Sequence, residues 1–114
     1  MFIRYATLYF VMNGNERTAF DVLTALGWEP KKIEACSGLR ENKGMPDFEC
    51  SENRYVEVKY GGSESISKSQ INRFYELIEK GKHIFIMVIY YNGDAELFKY
   101  EFRYVPIMLI KAND

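Results

Sequence analysis

Histidine and cysteine are both scarce in this chain of 114 residues, which has one histidine and two cysteines. A structural zinc site takes about four nitrogen or sulfur ligands, so the composition predicts none. His83 opens an apolar stretch, where a structural role is the common one, and no Ser-His-Asp or Cys-His nucleophile arrangement is evident. Cys36 and Cys50 are expected to be reduced thiols of a cytosolic protein.

Long apolar runs are missing as well. Residues 1–12 are apolar but include Arg4, and no small-residue cleavage site follows them, so a short strand or packing arm is expected rather than a signal peptide. The stretch is far shorter than the ~20 residues that span a bilayer. The absence of a GxxxxGK[ST] loop argues against ATP-driven chemistry. These features predict a cytoplasmic location (host cytoplasm for a viral protein) and no membrane partner.

The chain has no excess of basic residues. It carries 15 Lys and Arg against 16 Asp and Glu, a net charge of -1, and its pI is about 5.9. Nucleic-acid-binding domains usually have a basic surface, because phosphate neutralisation drives their affinity. Tight duplex binding by the whole surface is therefore not favoured, and local clusters such as Lys31-Lys32 remain compatible with ordinary solvated faces.

Apolar and aromatic residues are plentiful, at 47% hydrophobic with nine Tyr and eight Phe. A chain of this length and composition is expected to form a single domain, residues 1–114, with a real core. Hydrophobic periodicity predicts two helices, at 15–26 and 67–80, and five strands, at 32–36, 45–50, 55–60, 84–90 and 96–104. This α-β-β-β-α-β-β order indicates an α/β fold.

The strongest chemical pattern is Asp47, preceded by Gly-Met-Pro, and the Glu57-Val58-Lys59 sequence ten residues later. Strand side chains alternate, so Glu57 and Lys59 share one face while Val56 and Val58 point into the core. Carboxylates hold hard cations such as Mg²⁺, which activate water for phosphodiester hydrolysis. The alternative is a turn aspartate and a solvated Glu–Lys pair.

These residues resemble the signature of the PD-(D/E)XK nuclease superfamily, and the likeness extends over about residues 15–102. Within it the chain is most similar to small archaeal-type Holliday junction resolvases. That closer likeness uses Glu16 on the first helix, Ser37-Gly38, and Gln70 on the second helix. The resemblance implies a restriction-endonuclease-like core, with a central mixed sheet of about five strands flanked by helices.

The resemblance also implies roles for individual residues. Mg²⁺ or Mn²⁺ would be held by Asp47, Glu57, the Val58 carbonyl and Glu16, while Lys59 and Gln70 assist catalysis. DNA contacts are expected from Ser37, Arg40, Lys43, Lys68, Ser69 and Arg73. Two alternatives stay open: Glu16 at a helix start interacts favourably with the helix dipole, and Gln70 lies at capping-box spacing from Ser67.

The function implied is a metal-dependent endodeoxyribonuclease that hydrolyses DNA phosphodiester bonds, with branched DNA as the first candidate substrate. Cutting both strands of a junction needs two sites, so a homodimer is expected, with 100–110 as the candidate interface. The alternatives are a nuclease of the same chemistry on other DNA (restriction-like, nickase, flap or single-strand), one whose protein partner supplies DNA affinity, or a non-catalytic binding or assembly module.

Overall fold

The computed structural model describes residues 12–34, 43–61 and 64–101. Two helices and five strands occur in the predicted order, which confirms the α/β class. Neither helix among these residues is long and apolar enough to cross a membrane. The elements are α1 (Gly14–Ala25), β1 (Lys31–Lys32), β2 (Phe48–Cys50), β3 (Arg54–Tyr60), α2 (Lys68–Glu79), β4 (His83–Ile89) and β5 (Ala95–Lys99).

The five strands form one mixed sheet in the order β1-β2-β3-β4-β5. The β3 and β4 strands are parallel, and all other neighbours are antiparallel. Parallel neighbours need a long crossover connection, and α2 provides it. Short loops connect β2 to β3 and β4 to β5. Three residues separate the paired Cys50 and Arg54, and two of them, Glu52 and Asn53, have positive φ, as is common in tight hairpin loops.

Each helix begins with a complete capping box. The Asn13 side chain caps α1 and Glu16 reaches back to the Asn13 amide, while Ser67 and Gln70 do the same for α2. These reciprocal bonds satisfy two otherwise unpaired N–H groups at each helix start. They also fix the side chains of Glu16 and Gln70 close to the backbone.

The core has two layers, one on each face of the sheet. Val56 and Val58 point toward α1, as expected, and pack with Leu23, Phe48 and other apolar residues. On the opposite face, α2 contributes buried Phe74 and Leu77. Most of strand β4 is buried between the two layers, as is typical of a central strand covered on both faces.

Some predicted boundaries are wrong. The first strand, predicted at 32–36, starts at Lys31 and ends at Lys32, and residues 35–36 lie outside the described part of the chain. The second, predicted at 45–50, starts only at Phe48, because Pro46 has no N–H for a ladder. The last ends at Lys99 rather than 104, and residues from 102 onward are not among those described.

The candidate dimer interface at 100–110 is only partly described. Tyr100 is 4% exposed and its ring meets Phe74 edge-on, with centroids 5.2 Å apart. That residue therefore belongs to the core and not to a free surface. Residues 102–110 lie outside the described ranges, so the homodimer stays a prediction.

Gly44 allows the loop before β2 to pack closely against α2. Its φ is +75°, and a Cβ built there would lie 2.6 Å from the carbonyl oxygen of Ser69 in α2. A side chain at this position would both strain the backbone and collide with a helix carbonyl. The loop before Asp47 is thereby held directly against the first turn of α2.

We expect Gly44→Ala to lower the free energy of unfolding by roughly 1–3 kcal/mol, the cost of a strained left-handed residue. Urea denaturation followed by circular dichroism measures it. The control is Gly14→Ala, where no atom lies within 4 Å of the added Cβ and stability should be unchanged or slightly higher. Equal stability of the two variants would contradict the steric constraint at Gly44.

Candidate metal and catalytic site

Strand pairing brings the two halves of the sequence pattern together. Phe48 pairs with Val56, which places Asp47 opposite Glu57 just beyond the paired residues. Asp47 Oδ2 accepts a hydrogen bond of 2.8 Å from the Val58 amide, and the Asp47 carbonyl accepts one of 2.8 Å from Ile33. In an extended strand the N–H and C=O of one residue face the same edge, so the Val58 carbonyl is on the Asp47 side.

Glu57 and Lys59 share a face of β3, as predicted, but that face is not solvated. Glu57 is 4% exposed and Lys59 5%, since α2 covers them. Their side chains form an ion pair of 3.2 Å between Lys59 Nζ and Glu57 Oε2. The salt bridge considered from sequence is therefore present, whereas an exposed Glu–Lys pair on a free strand face is excluded.

Gln70 joins the helix to this pair. Its Nε2 donates to Glu57 Oε2 at 2.9 Å, and its Oε1 accepts from Lys59 Nζ at 2.9 Å. The same Oε1 accepts the Ser67 amide at 3.0 Å. The capping box that the sequence left as an alternative is present, and the same side chain also contacts Glu57 and Lys59; assistance in catalysis stays a prediction.

Lys32 is the residue of this site that the sequence did not reveal. Its Nζ lies 2.7 Å from Glu16 Oε2 and 3.6 Å from Asp47 Oδ1, so it links α1 to the site. Only the Lys31-Lys32 basic cluster was visible in the sequence. No spacing signal could have found the contact, because it depends on where α1 packs relative to β1.

Burial sets the protonation of both carboxylates. It raises the pKa of Glu57 from 4.5 to about 8, with the negative charge of Asp47 as the next cause; Lys59 and Gln70 oppose the shift. Burial also raises the pKa of Asp47, against the Val58 amide and the Lys32 charge. Strong perturbation by desolvation together with a charged neighbour is characteristic of functional sites.

The site is short of positive charge. Glu57 Oε1 is buried and has no hydrogen-bond partner among the described residues. When all groups are ionised, the carboxylates of Glu16, Asp47 and Glu57 face the ammonium groups of Lys32 and Lys59, so three negative charges meet two positive ones. A buried water or the carboxyl proton would satisfy Oε1, and once Glu57 is ionised a cation would offset the remaining charge.

The donors present suit a hard divalent cation. Within the described ranges, no three His, Cys, Asp or Glu side chains come together as a ready ligand set. Mg²⁺, however, is usually held by one or two carboxylates and keeps several waters. The carboxylates of Asp47 and Glu57 with the Val58 carbonyl meet that requirement. Both oxygens of Glu16 are engaged, by the Asn13 amide at 3.1 Å and by Lys32.

Four of the six residues predicted to contact DNA lie near the site. Arg73 Nε donates to the Lys43 carbonyl at 3.1 Å, so loop and helix join there. Lys68 begins α2 and is exposed, with Ser69 next to it. Ser37 and Arg40 lie outside the described residues. Nucleic-acid contact by any of the six stays a prediction.

Comparison with protein-family models, with curated proteins and with solved structures gives no significant match. The site must therefore be interpreted from its own geometry.

The metal-free protein should lose stability as the pH rises from 4.5 toward 8. Folded Glu57 keeps its proton over this range, whereas the unfolded chain releases it, so the folded state binds more protons and deprotonation favours unfolding. Urea denaturation in EDTA at about pH 5, 6.5 and 8 measures the trend. Glu57→Gln removes the titrating group and should flatten it.

The difference between wild type and Glu57→Gln isolates this group from the other titrating residues. The negative charge of Asp47 contributes to the raised pKa of Glu57, so the variant reports on both carboxylates. A wild-type stability that stays level or rises relative to the variant would show that Glu57 is ionised throughout.

Proposed function

We propose that this protein is a metal-dependent endodeoxyribonuclease of the PD-(D/E)XK type. The observation that carries the proposal is the buried Oε1 of Glu57, which has no hydrogen-bond partner among the described residues and lies next to the charge of Asp47 and the ammonium of Lys59. Two carboxylates, a strand carbonyl and a lysine are the groups that metal-assisted phosphodiester hydrolysis needs.

Asp47, Glu57 and the carbonyl of Val58 would hold Mg²⁺ or Mn²⁺. When bound there, the ion supplies a water of lowered pKa and offsets charge on the phosphate. Asp47 has a side chain that is 24% exposed, so this edge of the site is open to a substrate. The side-chain amide of Gln70, on α2, holds Glu57 in place through a hydrogen bond.

Lys59 is placed to act on the reacting groups. Its ammonium donates to Gln70 at 2.9 Å and pairs with Glu57 at 3.2 Å, which uses two of the three donors of an ammonium. The third can orient the attacking water or contact a phosphate oxygen. A fixed charge there stabilises the extra negative charge of the transition state.

A non-catalytic module is the runner-up, and the energetics disfavour it. Burying an ion pair costs desolvation energy, and apolar replacements of similar volume are often neutral or stabilising. A scaffold without chemistry would gain nothing from Glu57 and Lys59 under α2. Retention of both, with one oxygen unsatisfied, is better explained by a bound cation.

The proposal also includes the DNA structure that the protein would cut. Branched DNA, and specifically a four-way junction, is proposed first because of the resolvase-like pattern, together with a homodimer that carries two sites. The net charge of -1 instead favours a nuclease acting on other DNA structures or one that gains DNA affinity from a partner protein. We also propose that the domain has a restriction-endonuclease-like core.

Cleavage of a labelled four-way junction and its matched linear duplex, with Mg²⁺, Mn²⁺ or EDTA, tests the activity. Wild type should cut only with metal. Asp47→Asn and Lys59→Met should lower the rate by about 10²-fold or more, the scale for removing one charge-stabilising group. Glu79→Gln, an exposed acid at the end of α2, is the matched control and should cut like wild type.

Cutting of the junction alone supports a resolvase, and cutting of both substrates keeps the nuclease but rejects junction specificity. Undiminished metal-dependent cleavage by Asp47→Asn would overturn the catalytic assignment. A wild type that binds no metal in calorimetry and cuts none of the DNAs would favour the binding module.

A further inference from the structure

We infer that the ammonium of Lys32 occupies the position of a second cation between Glu16 and Asp47, and so limits the site to one divalent ion. The inference rests on the proposed function, because it concerns the number of ions that the same site takes. It assigns Lys32 as a positioning and selectivity residue rather than a surface charge.

The two oxygens of Asp47 face different groups. Its Oδ2 is turned toward the Val58 amide, on the side where Val58 and Glu57 provide donors for an ion. Its Oδ1 faces Lys32 Nζ at 3.6 Å. In two-metal phosphodiesterases the ions lie about 3.5–4 Å apart, and a carboxylate between them can bind both. Here the second of these positions is filled by the protein itself.

Lys32 is anchored in place on several sides. Its Nζ is 2.7 Å from Glu16 Oε2, donates to the Ile33 carbonyl at 3.2 Å, and lies 5.8 Å from the centroid of the Phe48 ring. The side chain is only 14% exposed. Its partner Glu16 is itself fixed by the capping box of α1. Moving the ammonium would leave a largely buried carboxylate unpaired, which is costly.

The charge balance agrees with a single ion. With Lys32 in place and Glu57 ionised by the bound ion, the three carboxylates and two ammonium groups leave one negative charge. One divalent ion more than offsets it, so a second ion would be repelled. Without the Lys32 charge, Glu16 and Asp47 become an unneutralised carboxylate pair, and one or two carboxylates with waters suffice for a hard divalent ion.

Calorimetric titration with Mn²⁺, supported by electron paramagnetic resonance of bound Mn²⁺, counts the ions directly and needs no DNA. Wild type should bind one Mn²⁺ per chain. Lys32→Met, which keeps most of the apolar stem of the side chain and removes its charge, should bind two Mn²⁺ ions, and close ion pairs should broaden the resonance by spin coupling. Lys31→Met is the control: Lys31 is its exposed neighbour on β1 and its loss should leave one ion.

Two Mn²⁺ ions in wild type, or one in a folded Lys32→Met, would overturn the inference while leaving the nuclease proposal intact. No Mn²⁺ in wild type would instead overturn the proposed function, so the two failures are distinguishable. Lys32→Gln serves if Lys32→Met does not fold, because its amide still donates to Glu16 without a charge. It too should bind a second ion, and a count of one would reject the inference.

Discussion

The burial of one carboxylate organises this structure. Glu57 lies on a central strand beneath α2, where an ionised group is costly unless it is paired and hydrogen-bonded. Lys59 and Gln70 supply those partners from the same strand and from the covering helix. They satisfy only Oε2, and Oε1 is left without one among the described residues. Glu57 thereby connects the central strand to the first turn of α2, and its unpartnered oxygen is the basis of the proposed cation site.

The same constraint connects the site to the helix starts. The third residue of each helix, Glu16 in α1 and Gln70 in α2, completes a capping box and also contacts a lysine of the site. Gln70 holds Lys59 on one face of the sheet, and Glu16 holds Lys32 at the α1 side. A capping box already holds the side chain in one conformation, so less conformational entropy is lost when a ligand binds. Local backbone chemistry thereby pre-organises groups contributed by distant parts of the chain.

Stability and chemistry are opposed at this site. An apolar residue in place of Glu57 would remove the desolvation cost, and the raised pKa of Glu57 records how unfavourable its charge is without a cation. Perturbed groups of this kind are retained where the chemistry depends on them. This cost is consistent with the divalent ion that we propose for the site.

The order of helices and strands and the shared face of Glu57 and Lys59 could be predicted from the sequence, because they depend on short-range periodicity. The sequence also marked Asp47 and Glu57 as partners through their spacing. The tertiary structure alone decided that the Glu57 face is buried, that Gln70 bridges Glu57 and Lys59, and that Lys32 reaches Glu16 and Asp47. Those contacts depend on how the two helices pack on the sheet, and no local pattern in the chain encodes that packing.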